Sequence, residues 1–134
     1  MGEAPAVGQA LDPLIVEQVS AEKMKAMAAL LEDPNPIHYD VDVVRALGYG
    51  DRPINQGPIN LAWFMACAIR FAGGRERLLR THVRFLGNVF AGERFVAEGT
   101  VTAVDANAGT AELTIECSAD GRPVLAGTAT VAIG

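Results

Sequence analysis

From Ile59 to Phe71 the chain carries a single charged side chain, Arg70, between a Gly57-Pro58 start and a Gly73-Gly74 stop. Proline is tolerated in the first turn of a helix and glycine is favoured just past the last, so the segment reads as a helix. A helix that is apolar nearly all round has no face to offer water and must be buried on most sides. The rest of the chain therefore has to wrap it. A bilayer cannot serve as the wrapping: the most apolar run, Leu61 to Ile69, falls far short of the roughly 20 residues that a crossing takes.

The second half of the sequence supplies strands. Leu79, Thr81, Val83 and Phe85 alternate with Arg80, His82 and Arg84, the first set facing inward. Phe95, Ala97, Gly99, Val101 and Ala103 form the next inward row. After a turn over Asp105 to Gly109 come Ala111, Leu113, Ile115 and Cys117. Asp120-Gly121 marks a hairpin, and Leu125, Gly127, Ala129 and Val131 line the last strand. Consecutive hairpin-linked strands imply an antiparallel sheet.

The first half is shorter-ranged. Leu14 to Val19 reads as a strand, and Ser20 as the N-cap of a helix over residues 21–31 with Met24, Met27, Leu30 and Leu31 on one face. Pro34 and Pro36 stop it, because proline lacks the amide proton and clashes with the preceding turn. Asp40 or Asp42 starts a short helix over residues 43–47, closed by Gly48 and Gly50. The expectation is one α+β domain over residues 1–134, an antiparallel sheet wrapped around one long apolar helix.

Composition narrows the function. At 134 residues and 50% hydrophobic the chain can build a real core, and with only 20% charged it is expected to cover part of its surface in an oligomer. A net charge of −5 argues against a nucleic-acid partner. Glu3, Asp12, Glu17 and Glu22 interrupt the start where a leader would carry a basic end and an apolar centre. Cys67 and Cys117 stand in apolar settings without a CxxC pattern, as buried thiols do in a reducing compartment. A cytoplasmic protein with no membrane association is expected.

Chemistry concentrates in Asp33-Pro34-Asn35-Pro36-Ile37-His38-Tyr39-Asp40. The prolines fix φ and exclude helix, so Asp33 and His38 are expected on a stiff irregular loop. A carboxylate and an imidazole held together are suited to moving a proton to or from water. A structural reading of the same residues is open: Asp33 ends a helix, Asn35 makes an Asx-turn, and His38 is a satisfied core histidine.

The stretch resembles the signature of the MaoC-like dehydratase family, Asp-x-Asn-Pro-x-His-x-Asp, matched here by Asp33, Asn35, Pro36, His38 and Asp40. The spacing to Gly57 and the long helix fits too, as does Val83-Arg84-Phe85-Leu86-Gly87-Asn88-Val89-Phe90-Ala91-Gly92-Glu93, which looks like the family's helix-to-sheet strand and the turn after it. The resemblance implies a hot-dog fold, an acyl-CoA thioester as substrate, coenzyme A as part of that substrate and no further cofactor. It implies that Asp33 and His38 are the acid–base pair that moves water across the Cα–Cβ bond. Asn35 would orient the loop. The Gly57 amide, between Gln56 and Pro58 at the positive end of the helix, would polarise the thioester carbonyl. The implied product is an (R)-3-hydroxyacyl thioester, and the implied assembly is a homodimer or larger with sheets joined edge to edge. A partner-dependent or non-catalytic hot-dog subunit and a hot-dog thioesterase are the alternatives.

Three departures from the family pattern bear on substrate identity rather than on the acid–base pair. Glu32 stands for the usual Gly, Val41 for a frequent Pro, and Gln56-Gly57-Pro58 for His-Gly-Met. Arg75, Arg77, Arg80 and Arg84 are candidates for coenzyme A phosphates or for a solvated strand face. His82 reads as surface, Trp63, Phe64 and Met65 as core with one side able to line an acyl tunnel, and Asp105, Glu112 and Glu116 as solvated. No group of residues has metal-ligand spacing, and there is no Gly-rich phosphate loop.

Overall fold

The computed structural model describes residues 4–32 and 35–134. Asp33 and Pro34 lie outside the described residues. The strands are β1 (Leu14–Val16), β2 (Leu78–Phe85), β3 (Phe95–Asp105), β4 (Thr110–Ala119) and β5 (Arg122–Ala132); the helices are α1 (Ala21–Leu30), α2 (Val41–Ala46) and α3 (Gly57–Ala72). All neighbouring strands are antiparallel and form one sheet in the order β1-β3-β4-β5-β2.

The long apolar helix is wrapped as its composition requires. α3 touches all five strands. Phe64, Cys67 and Ala68 on it are fully buried against Phe95, Ala97, Leu113, Ile115, Leu125 and Val131. Trp63 leans on Phe95 with ring centroids 4.8 Å apart, the tilted geometry that aromatic pairs favour. Gly73 closes α3 in the left-handed region at φ 91°, where a side chain would be strained. This is a hot-dog arrangement: the sheet is the bun and α3 the filling.

Two glycines let the sheet take this form. Gly99, Ile115, Gly127 and Val83 lie side by side across β3, β4, β5 and β2. A Cβ on Gly127 would collide with the carbonyl oxygen of His82, and one on Gly99 with that of Thr114. The adjoining backbone fills the space of a side chain in both places. Inside the sheet, burial pushes the Cys117 thiol up to about 12, so it stays neutral.

The alternating rows hold through β4, where Ala111, Leu113, Ile115 and Cys117 are all buried, and they slip elsewhere. A bulge between Leu78 and Arg80 turns Leu79 outward, 55% exposed, and packs Leu78 on the core in its place. A second between Val101 and Ala103 exposes Ala103 and brings Val104 inward. On α1 the buried stripe is Met24 and Ala28, four residues apart, and Leu30 and Leu31 stay exposed. The β1 strand stops at Val16, and Val19 instead bonds the turn at Gly92 and Glu93.

Gly127→Ala is expected to destabilise the fold by about 3 kcal/mol, the upper end of ordinary substitution effects. That is a fall in melting temperature of about 10 °C. A thermal melt equal to wild type would show that β2 and β5 can part at this row without cost.

Candidate functional site

His38 ends a 3₁₀ turn, Pro36–His38, where the prolines were expected to exclude helix. The reason is positional: Pro36 sits in the first turn, where no N–H is needed, and Asn35 caps it by accepting the Ile37 N–H at 3.2 Å. Asp40 does the same for α2, accepting from the Asp42 and Val43 amides at 3.0 and 3.4 Å. The imidazole of His38 is buried, 7% exposed, with Nδ1 2.6 Å from the Ile54 carbonyl oxygen. A carbonyl only accepts, so Nδ1 carries the proton. In the neutral ring the basic lone pair is then on Nε2.

The residue that fixes this tautomer is itself held on both sides. The Ile54 N–H donates to the Ile37 carbonyl at 2.8 Å. Ile54 also bridges Phe90, with Asn55 N–H donating to Val89 O at 2.7 Å and Ala91 N–H to Pro53 O at 2.9 Å. Residues 53–55 therefore form a short paired ladder with residues 89–91. The Asn55 side-chain amide donates to Asn60 Oδ1 at 2.7 Å, with both residues buried. That bond fixes the ladder to the first turn of α3.

At the head of α3, the Gln56 carbonyl accepts from the Ile59 and Asn60 amides at 3.1 and 3.2 Å. Pro58 has no amide proton, so the Gly57 N–H is the donor that the helix start presents. It stands at the positive end of a 16-residue helix. The Phe85 ring walls it: a Cβ on Gly57 would lie 3.5 Å from that ring. The Gln56 side chain, 1% exposed, turns away to donate from Nε2 to the Met24 carbonyl of α1 at 2.8 Å. Its Oε1 has no partner among the described residues. The structure thus places His38, Ile54 and Gly57 along one bonded path, with Asn35 at the mouth of the His38 turn. Asp33 lies outside the described residues. What is assembled can accept a proton at an imidazole and offer an N–H to developing negative charge.

The arginines do not gather there. Arg75 and Arg77 stand at the other end of α3, Arg77 donating to the Ala132 carbonyl at 3.2 Å. Arg80, His82 and Arg84 are exposed on β2. A cavity of about 650 Å³ also belongs to that far end, lined by Leu11, Arg70, Phe71 and Ile133. Among the described residues no three His, Cys, Asp or Glu side chains come together as a metal site, and no helix is long and apolar enough to cross a membrane. Sequence reasoning passed over Asn55, Asn60 and Glu93. Asn60 carried a signal, being a lone amide inside an otherwise apolar helix.

The model of a family described as "MaoC like domain" matches residues 3–121. A solved (R)-hydratase from A. caviae, involved in PHA biosynthesis, is 28% identical; the match covers 99% of this chain and 100% of that one, with a TM-score of 0.86. An R-hydratase from Pseudomonas aeruginosa is 20% identical over 96% of this chain and 81% of that chain, at a TM-score of 0.83. A MaoC-like dehydratase from Rhodospirillum rubrum shares 23% identity over 96% of this chain and 92% of its own, at a TM-score of 0.72. Comparison with curated proteins gives no match.

Asn60→Leu leaves the buried Asn55 amide without its acceptor and is expected to cost about 1–3 kcal/mol. Adding Asn55→Leu should cost less than its effect alone, because the stranded group is gone. Urea unfolding of the two single variants and the double variant measures this. Strict additivity would mean that the pair does not fix the ladder to α3.

Proposed function

We propose that this chain, which belongs to the MaoC-like domain family, is an (R)-specific enoyl-CoA hydratase, or 3-hydroxyacyl-CoA dehydratase in reverse. The observation that carries the reading is the His38 imidazole held by its Nδ1–H on Ile54, three residues before the α3 N-terminus. The full-length likeness to the A. caviae (R)-hydratase supports it.

In this reading Asp33 and His38 hold a water between them. One takes its proton, the hydroxyl adds to Cβ of the enoyl thioester, and a proton is returned to Cα. Negative charge builds on the thioester oxygen as the Cα–Cβ bond polarises. The Gly57 N–H and the α3 dipole stabilise that charge where water is excluded. Asn35 shapes the turn, and Gln56 and Pro58 border the carbonyl site. Coenzyme A enters as part of the substrate, and the reaction uses no other cofactor. The two free, buried cysteines fit a reducing, cytoplasmic setting.

The working form is a homodimer or larger. β2 is an edge strand of eight residues, and Leu79, Phe85 and Leu86 on and beside it are 51–56% exposed. An edge of that length is a template for pairing with another strand. Phe85 also walls Gly57, so a second copy seated on β2 would close the site from outside.

Asp33→Asn keeps the shape and removes the base, so hydration of crotonyl-CoA or a longer enoyl-CoA should fall by at least about 100-fold. His38→Ala should behave alike, and the double variant should be little worse than either, because the two groups act as a unit. Melting temperature is measured on the same preparations and should change little for Asp33→Asn. A wild-type rate in Asp33→Asn would remove Asp33 as the base and the mechanism with it.

A further inference from the structure

Glu93 is a buried carboxylate that the mechanism does not use. It is 1% exposed, with three donors on it: the Phe90 N–H at 2.7 Å on Oε1, and the fork of Arg122, Nη2 to Oε1 and Nη1 to Oε2, both at 3.0 Å. Arg122 Nη2 also donates to the Asn88 carbonyl at 2.7 Å. The pairing with Glu93 raises the Arg122 pKa above its ordinary value. The guanidinium of Arg122 stacks 5.7 Å from the Phe90 ring centroid, and that of Arg52 lies 5.6 Å from the same ring. Arg52 Nη1 donates to Ala91 O at 3.3 Å. The turn over residues 88–93 is pinned through its backbone at Asn88, Phe90 and Ala91, and through the Phe90 ring.

A buried ion pair is a poor device for stability alone. Removing a carboxylate from water costs several kcal/mol, and apolar side chains of like volume often fill such a place as well or better. What the pair does supply is a fixed geometry, because the fork of an arginine on a carboxylate is planar and directional. The geometry is passed on to the ladder that holds His38 and to the start of α1. Val89 and Ala91 form the ladder with residues 53–55, and the Ile54 carbonyl in that ladder accepts the hydrogen bond from His38 Nδ1–H. Gly92 N–H donates to Val19 O and Val19 N–H to Glu93 O, at 2.8 and 2.9 Å, one residue before the Ser20 cap of α1.

We propose that the Glu93–Arg122 pair is a positioning device for the proton-transfer site, with Glu93 and Arg122 as positioning residues that act through Ile54 on His38. This rests on the hydratase reading only in what it says of rate. A misplacement of ~1 Å can cost about 100-fold in turnover without touching the substrate. The expected signature is a loss in kcat with KM nearly kept.

Glu93→Gln keeps an acceptor for the Phe90 N–H and loses the charge that grips Arg122. Arg122→Lys keeps the charge and loses the fork. Both variants are assayed for enoyl-CoA hydration, and their amide hydrogen exchange is followed at Ile54 and Asn55 against Leu113 in β4. Each variant should lose about 10–100-fold in kcat with KM within about threefold. Exchange at Ile54 and Asn55 should speed up selectively. Arg122→Ala, in which the half-exposed fork is absent, should regain part of its rate when guanidinium ion is added at millimolar concentration. If Glu93→Gln does not fold, Arg122→Lys and Arg122→Ala carry the test. Wild-type kcat in folded variants, or exchange that rises equally at Leu113, overturns the proposal. Absence of hydration by the wild-type protein would instead defeat the hydratase reading, and the exchange pattern would still decide the positioning role.

Discussion

One hydrogen bond sets the chemical state of the site, the 2.6 Å contact from His38 Nδ1 to the Ile54 carbonyl. It fixes the imidazole tautomer and anchors the ring. Its acceptor belongs to the ladder between residues 53–55 and 89–91. The ladder is tied inward to α3 through Asn55 and Asn60, and outward to the turn that Glu93 and Arg122 hold. α3 is itself fixed because all five strands close on it. The site thus inherits rigidity from the core without belonging to it. In the proposed reaction such support would keep the reorganisation cost of proton transfer low.

The buried polar groups explain why the region is ordered. Asn55, Gln56, Asn60 and Glu93 are all nearly inaccessible, and each makes at least one hydrogen bond. Unpaired they would be costly; paired, they select one arrangement of the loops over others of similar apolar burial. The Gln56 amide joins α1 to the start of α3, so α1 and the helix that presents Gly57 share a contact. That link runs through a position where this chain departs from the family pattern.

Much of the architecture was legible in the sequence because it follows from periodicity. The apolar α3 with its Pro58 start and Gly73 stop, the β4 row from Ala111 to Cys117 and the Ser20 cap all follow from local rules. The slips have a common cause. A bulge adds one residue to a strand and reverses every later face, and nothing in the residues around Leu78 or Val101 announces it. Leu30 and Leu31 read as core because a face of α1 is apolar, but the stripe that meets the rest of the chain is centred on Met24 and Ala28. The candidate site residues stood out as a motif, and the 3₁₀ turn that seats His38 did not, since Pro36 can open a turn as readily as it blocks one. Glu93 was invisible for a deeper reason, since Arg122 lies 29 residues further on and meets it only once the strands have paired. The Asn55–Asn60 contact spans five residues at the start of α3, but polar residues beside a turn ordinarily read as solvated.

The central claim is that this frame directs water to one face of an enoyl thioester. The most direct measurement is chiral analysis of the product formed by the wild-type protein from crotonyl-CoA, with free thiol followed in the same reaction. The account predicts (R)-3-hydroxybutyryl-CoA and no thiol release. An (S) product, or coenzyme A set free, would contradict it.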